Sequence, residues 1–315
     1  MRAMEFDGSV SLTACARAAV AGALALTMIA SGGAAMAAES HSFITSDGAR
    51  LHYLEAGPSS ARTVVFVPGW TMPAWIWEGQ IEALEGRFHV LALDPRGQGE
   101  SEVTRFGYTH ERRGRDVGEL IEHAAARNDN PDPVVLVGWS LGVLDSLAYV
   151  AGAGDSLIAG LVLVDNSIGE EPGPVYRGDG GGSPADAALL PEADRRRRRA
   201  AFVQSLFARD PGADYRARLT ADALRMTQAD ERRLLAYDVP RSYWRSALHS
   251  TRRPVLYVVR PHWREQGRNL VRTHPNARME VFEIAGHALF VDEPERFNRL
   301  LTDFLDTRVG GGAAP

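Results

Sequence analysis

Apolar residues in this chain gather into short continuous runs. TVVFV (Thr63–Val67), HVLAL (His89–Leu93), PVVLV (Pro133–Val137) and GLVLV (Gly160–Val164) are followed by PVLYVV (Pro254–Val259) and MEVFEI (Met279–Ile284). Runs of five or six residues, apolar on both faces and rich in β-branched side chains, predict strands covered on each side by helices. HSFITSDGARLHYLEAG adds two strands around a Ser46-Asp47-Gly48 turn. Between the runs, helical periodicity predicts helices over Gly118–Ala126, Leu141–Val150 and Pro294–Leu305, the last with Phe297, Leu300, Leu301 and Phe304 on one face. Alternating strand and helix predicts an α/β fold with a mostly parallel, doubly wound sheet.

One interval breaks the alternation. From Gly169 to about Thr251 no strand is predicted; a loose GEEPGPVYRGDGGGSP gives way to Arg-rich helical sequence. An insertion of this length late in an α/β sheet predicts a helical lid over the strands' carboxyl ends. The expected organisation is therefore a core over 38–168 and 252–308, a lid over 169–251 and a frayed tail over 309–315. The run of five arginines, Arg195–Arg199, predicts a solvated helix face.

At the amino terminus, Arg17 precedes the apolar stretch Ala18–Ala30, and Ala35-Met36-Ala37 fits a small-x-small cleavage site. Residues 1–37 therefore predict a secretory signal peptide, a periplasmic or secreted protein, and no stable membrane insertion after cleavage. Cys15, the single cysteine, lies in that segment. The mature chain then has no disulfide, thiol nucleophile or cysteine metal site. A net charge of −5 gives no bulk attraction to nucleic acid.

The chemistry concentrates in PVVLVGWSLGVLDSLAYV. Gly138-Trp139-Ser140-Leu141-Gly142 lies between an apolar strand and an apolar helix, a G-x-S-x-G arrangement that predicts a strained strand-to-helix turn. Such a turn lifts the Ser140 hydroxyl clear of the sheet, and the flanking glycines admit close backbone approach. The helix amino terminus behind it contributes positive potential.

With these features the sequence resembles the α/β-hydrolase superfamily over Ser42 to Leu305. VFVPGWTMPAWIW resembles the family's first active-site loop, with Pro68 where a histidine is usual. LALDPRGQGES matches its D-x-R-G-x-G-x-S loop, and FEIAGHALFVDEPERFNRLLTDFL matches its histidine loop and terminal helix. The resemblance implies Ser140 as nucleophile, His287 as general base, and an oxyanion hole from the backbone N–H groups of Leu141 and Trp70. The Trp70 side chain either lines an acyl pocket or packs the loop. Asp94, Arg96 and Gly97 read as structural, and Asp292 as a cap on the final helix.

The acid is displaced from its usual place. Most members carry it after the strand matching Val255–Val259, where this chain reads RPHWREQGRN and reaches a carboxylate only at Glu265. Asp165, at the carboxyl end of the preceding strand, is the expected acid, as in haloalkane dehalogenases and pancreatic-type lipases. Arg260, His262 and Arg264 stand beside the vacated position. The order Ser140, Asp165, His287 is that of the fold. The resemblance implies a serine esterase acting on a small-molecule ester without metal or organic cofactor. A serine nucleophile argues against haloalkane dehalogenase and epoxide hydrolase chemistry, which in related proteins uses aspartate. Two alternatives accompany it: a cofactor-free haloperoxidase or perhydrolase, and a non-catalytic ligand-binding member of the fold.

Overall fold

The computed structural model describes residues 38–127, 132–173 and 189–309. The expected signal peptide, most of the loose start of the insertion and the end of the tail lie outside the described residues. Eight strands form one sheet in the order β1-β2-β4-β3-β5-β6-β7-β8. They are β1 (Glu39–Ile44), β2 (Arg50–Ala56), β3 (Thr63–Val67), β4 (His89–Asp94), β5 (Val134–Trp139), β6 (Ile158–Val164), β7 (Val255–Val259) and β8 (Ala277–Val281). The β1–β2 and β2–β4 pairs are antiparallel and the rest of the sheet is parallel.

Alternate residues of the central strands enter two separate cores. Val65, Val67, Leu136, Leu161, Leu163, Tyr257 and Val259 face one core, together with the apolar faces of α2 (His110–Arg127) and α3 (Leu141–Ala153). Val64, Phe66, Val135, Val137, Val162, Val164 and Val258 face the other, with α1 (Glu78–Leu84) and the carboxyl-terminal helices. Burial on both faces accounts for the unbroken apolar runs, since neither face meets water.

Several boundaries differ from the sequence expectation, and two of them have a clear physical cause. The β8 strand ends at Val281 because its partner β7 ends at Val259; one further bond, Phe282 N–H to the Val259 carbonyl at 2.8 Å, closes the ladder. Glu283 and Ile284 are exposed. Helix α2 begins at His110 rather than Gly118. Its first turns, HERRGRD, show no apolar stripe, yet Arg113 and Asp116 are buried through ion pairs with Asp145 and Arg96 at 2.8 Å. Charge pairing replaces hydrophobic periodicity there.

Between β6 and β7 run α4 (Glu192–Ser205), α5 (Ala213–Asp222), α6 (Gln228–Arg233) and α7 (Arg241–Ser250). The last buries Trp244, Ala247 and Leu248 in the same core as α3. The arginine run is not uniformly solvated. Arg196, Arg197 and Arg198 are exposed, whereas Arg195 and Arg199 turn inward and share the Glu231 carboxylate at 3.1 and 2.8 Å. A helix carries residues four apart on one face, so five consecutive arginines cannot all face solvent when that face packs. The chain continues through α8 (Arg264–Thr273), the single turn α9 (Leu289–Asp292) and α10 (Pro294–Phe304).

Candidate active site

Strand β5 delivers Ser140 to the carboxyl edge of the sheet, and α3 begins at the next residue. Ser140 has φ 54° and ψ −118°, outside the regions that residues with a Cβ ordinarily adopt. The flanking glycines permit this turn. A Cβ on Gly138 would lie 2.3 Å from the Gly142 carbonyl oxygen, and one on Gly142 would lie 2.2 Å from that of Val67. Ser140 makes no side-chain cap to the helix. Its N–H donates to the Val164 carbonyl at 2.9 Å, and its own carbonyl accepts from the Asn166 side chain at 2.7 Å. The hydroxyl is thus left for another partner.

That partner is His287. Its Nε2 lies 2.9 Å from Ser140 Oγ, and its Nδ1 lies 2.6 Å from Asp165 Oδ2. The loop carrying the histidine is fixed at several points. The His287 carbonyl accepts from Trp139 Nε1 at 2.8 Å, and the Ala288 N–H donates to the Leu206 carbonyl at 2.8 Å. Asp292 accepts from the backbone N–H groups of Gly286, Ala208 and Arg209 at 2.6, 2.9 and 3.0 Å. It does not cap the last helix as expected, because it already ends α9 and points back at the loop; Glu293 precedes α10 without a side-chain cap. Asp292 therefore ties the histidine loop to the segment after α4.

Asp165 follows β6 and is fully buried, with φ 50°. Its N–H donates to the Val258 carbonyl at 2.9 Å. Its Oδ1 accepts from the Arg260 N–H at 3.0 Å, and its Oδ2 accepts from Arg260 Nε at 2.6 Å as well as from His287. Burial alone would raise its pKa, but the hydrogen bond from His287 and the charges of His287 and Arg260 outweigh it, leaving the carboxyl below its ordinary value. The magnitudes agree with that sign. Desolvating an ion costs several kcal/mol, and three hydrogen bonds to a charged acceptor, at about 1.5–3 kcal/mol each, offset it. Glu265, the alternative carboxylate, is exposed in the first turn of α8 and pairs with Arg268 at 2.6 Å.

The β3 loop abuts the serine: a Cβ on Gly69 would lie 3.0 Å from Ser140 Cβ. Among the described residues, neither the Trp70 nor the Leu141 backbone N–H donates to a protein acceptor. The Trp70 side chain packs against the insertion. Its Nε1 donates to the Glu231 carbonyl at 2.6 Å, and the buried Arg199 guanidinium lies 4.2 Å from its ring centre. Arg199 also donates to Thr71 Oγ1 at 3.1 Å, and Thr71 has φ 60°. Asp94 accepts from His52 and the Ala74 and Glu100 N–H groups, and Arg96 is buried against Asp116 and Asp47, so both brace loops beneath the site.

The structure thus brings together Ser140, His287 and Asp165, with the Gly69–Trp70 loop against the serine. Three neighbours carry no signal along the chain. Asn166 and Tyr257 form a relay to the Ser140 carbonyl, the tyrosine hydroxyl donating to the Asn166 carbonyl at 2.7 Å. Arg199 reaches the site from the insertion. All three contacts are non-local and leave no spacing pattern.

A model of the alpha/beta hydrolase family matches residues 64–300, three quarters of the chain. The chain belongs to the α/β-hydrolase family. Within it, 121 residues are 34% identical to a non-heme chloroperoxidase of Streptomyces lividans, covering 38% of this chain and 42% of that protein. Another 141-residue match is 32% identical to a soluble epoxide hydrolase of Corynebacterium sp., covering 39% and 47%. The chain spans less than half the length of these curated relatives. A solved aryl-esterase candidate from Burkholderia cenocepacia superposes with a TM-score of 0.73 at 26% identity, over 86% of this chain and all of the other. Proteins named as esterases, peroxidases and epoxide hydrolases all stand among those this family member is similar to. Among the described residues, no helix is long and apolar enough to cross a membrane.

Proposed function

We propose that the chain is an exported serine hydrolase that cleaves carboxylic esters through an acyl-enzyme. One observation carries this reading: an unbroken hydrogen-bonded series from Ser140 Oγ through both nitrogens of His287 to the buried Asp165, set on a strained elbow. His287 takes the hydroxyl proton while Ser140 Oγ bonds to the ester carbonyl carbon. Asp165 holds the proton on Nδ1, so that Nε2 is the atom facing the serine, and balances the imidazolium as it forms. The negative charge developing on the carbonyl oxygen is met by the free N–H groups of Leu141 and Trp70, the first of them at the amino terminus of α3. The C–O bond to the alcohol breaks as His287 returns the proton to it. Water then repeats the sequence on the acyl group, releasing a carboxylic acid and free Ser140.

Two relatives suggest other outcomes. The likeness to a chloroperoxidase favours a second reading, in which peroxide replaces water at the acyl-enzyme and yields a peracid. An epoxide hydrolase of the aspartate type requires a carboxylate where this chain has Ser140, and that reading is set aside. Export rests on residues 1–37.

The test is turnover of short-chain aryl esters by wild type and Ser140→Ala, repeated with peroxide and bromide. Hydrolysis lost in Ser140→Ala supports the ester reading. Halogenation that outpaces hydrolysis moves the assignment to the peroxide reading, and a wild type inert in both assays overturns acyl transfer.

A further inference from the structure

The end of β7 is where the family resemblance places the acid, and here it carries a base. Arg260 gives Asp165 two hydrogen bonds, its backbone N–H to Oδ1 and its Nε to Oδ2. The second oxygen is the one that His287 Nδ1 also holds at 2.6 Å. The guanidinium continues past the carboxylate, so that its Nη2 lies 3.4 Å from the same Nδ1. Asp165 has a left-handed backbone and no side-chain exposure, so the direction of its carboxylate is set by what grips it. The grip comes from one residue at both oxygens, and that residue is itself only partly covered, with 29% of its side chain exposed. A guanidinium's planar, fixed set of donors suits this better than a flexible ammonium.

We propose that Arg260 is a positioning residue for the reaction: it locks the Asp165 carboxylate plane, and so holds His287 with Nε2 directed at Ser140. This rests on the acyl-transfer reading given above. Removing the side chain leaves Oδ1 bound to the backbone and Oδ2 bound only to His287, so that the carboxylate and the imidazole can turn together about the single fixed point at Oδ1. A displacement of the imidazole approaching 1 Å costs about 100-fold in rate. The effect belongs to kcat, because Arg260 acts through Asp165 and makes no contact with substrate in this account.

The experiment compares wild type, Arg260→Ala, Arg260→Gln and Arg260→Lys on one aryl ester. Both Arg260→Ala and Arg260→Gln should lower kcat by about 10- to 100-fold with KM within about twofold, in protein that stays folded at the assay temperature although the buried carboxylate has lost a partner. Arg260→Lys should recover part of the loss, keeping the charge but not the fork. Ethylguanidinium added to Arg260→Ala should restore rate several-fold where sodium chloride at equal ionic strength does not. The proton between His287 Nδ1 and Asp165, expected far downfield in the wild-type NMR spectrum, should move or broaden in Arg260→Ala. The proposal is overturned by an unchanged kcat, by a loss confined to KM, or by a downfield proton indifferent to the substitution. The NMR reading needs no turnover. An inactive wild type would count against acyl transfer, whereas an active wild type matched by an equally active Arg260→Ala counts only against Arg260.

Discussion

Strands β5 and β6 are neighbours in the sheet, and each is followed by a residue with a Cβ and a left-handed backbone, Ser140 at φ 54° and Asp165 at φ 50°. The two are held there differently. At Ser140 the turn is secured by absent atoms: neither Gly138 nor Gly142 has room for a methyl group. At Asp165 it is secured by charge, through Arg260 and His287 on segments 95 and 122 residues away. The first device is local and leaves a motif. The second is assembled only on folding, and nothing in the residues around Asp165 announces it.

The largest test of this contrast is on the serine side. Ser140→Ala should keep the fold, because alanine retains the backbone and the hydroxyl caps nothing, yet lower ester turnover by roughly 10⁵- to 10⁶-fold. A residual rate above that, measured under saturating substrate, would place the nucleophile elsewhere. Asp165→Asn comes next, with kcat reduced by about 10⁴-fold as the imidazole loses its tautomer control and counter-charge. The same variant carries a pH signature. Asp165 has a depressed pKa in the folded protein, so its stabilising effect is complete above the unfolded aspartate value of about 3.9 and is lost as pH falls through the lower folded value. The stability gap between wild type and Asp165→Asn should therefore be full at neutral pH and close below about pH 4, read from denaturant midpoints. A gap independent of pH would mean that the carboxylate gains nothing from its partners.

Legibility followed the same division. The apolar runs exposed the sheet because burial on two faces leaves nothing polar in a strand. G-x-S-x-G exposed the elbow because close backbone approach forces glycine. Asp165 is reached through the family resemblance, from its place at the end of a buried strand together with the lack of an early carboxylate after β7, and Arg260 stands in view with no sign of what it touches. The amino-terminal turns of α2 were missed because Arg113 and Asp116 are buried as ions, which periodicity reads as surface. Arg199 was missed for the same reason, lying in a run of arginines of which three are indeed exposed. Asp292 has helix-cap spacing before Pro294, but its carboxylate serves the histidine loop instead.

Smaller effects sharpen the picture. Asp292→Ala removes the acceptor of three backbone N–H groups that join the histidine loop to the insertion. Water recovers part of that loss, since Gly286 is half-buried and Ala208 and Arg209 are exposed, and a stability decrease of about 3 kcal/mol is expected by urea unfolding. A decrease below about 1 kcal/mol would show that the loop is held by packing alone. Glu265→Gln should leave kcat and KM within about twofold, since an exposed surface pair contributes little. A large fall in kcat for that variant would return the acid to the β7 loop.

The central claim is that Ser140 is the nucleophile and that Asp165, through His287, is what activates it. The most direct measurement is the rate and site of covalent labelling by a fluorophosphonate, followed by mass mapping of the peptides, for wild type and Asp165→Asn. A single phosphonyl group on Ser140, acquired roughly 10³- to 10⁴-fold more slowly in Asp165→Asn, is the predicted result. An unlabelled wild type, an adduct on any other residue, or equal rates in the two proteins would contradict it.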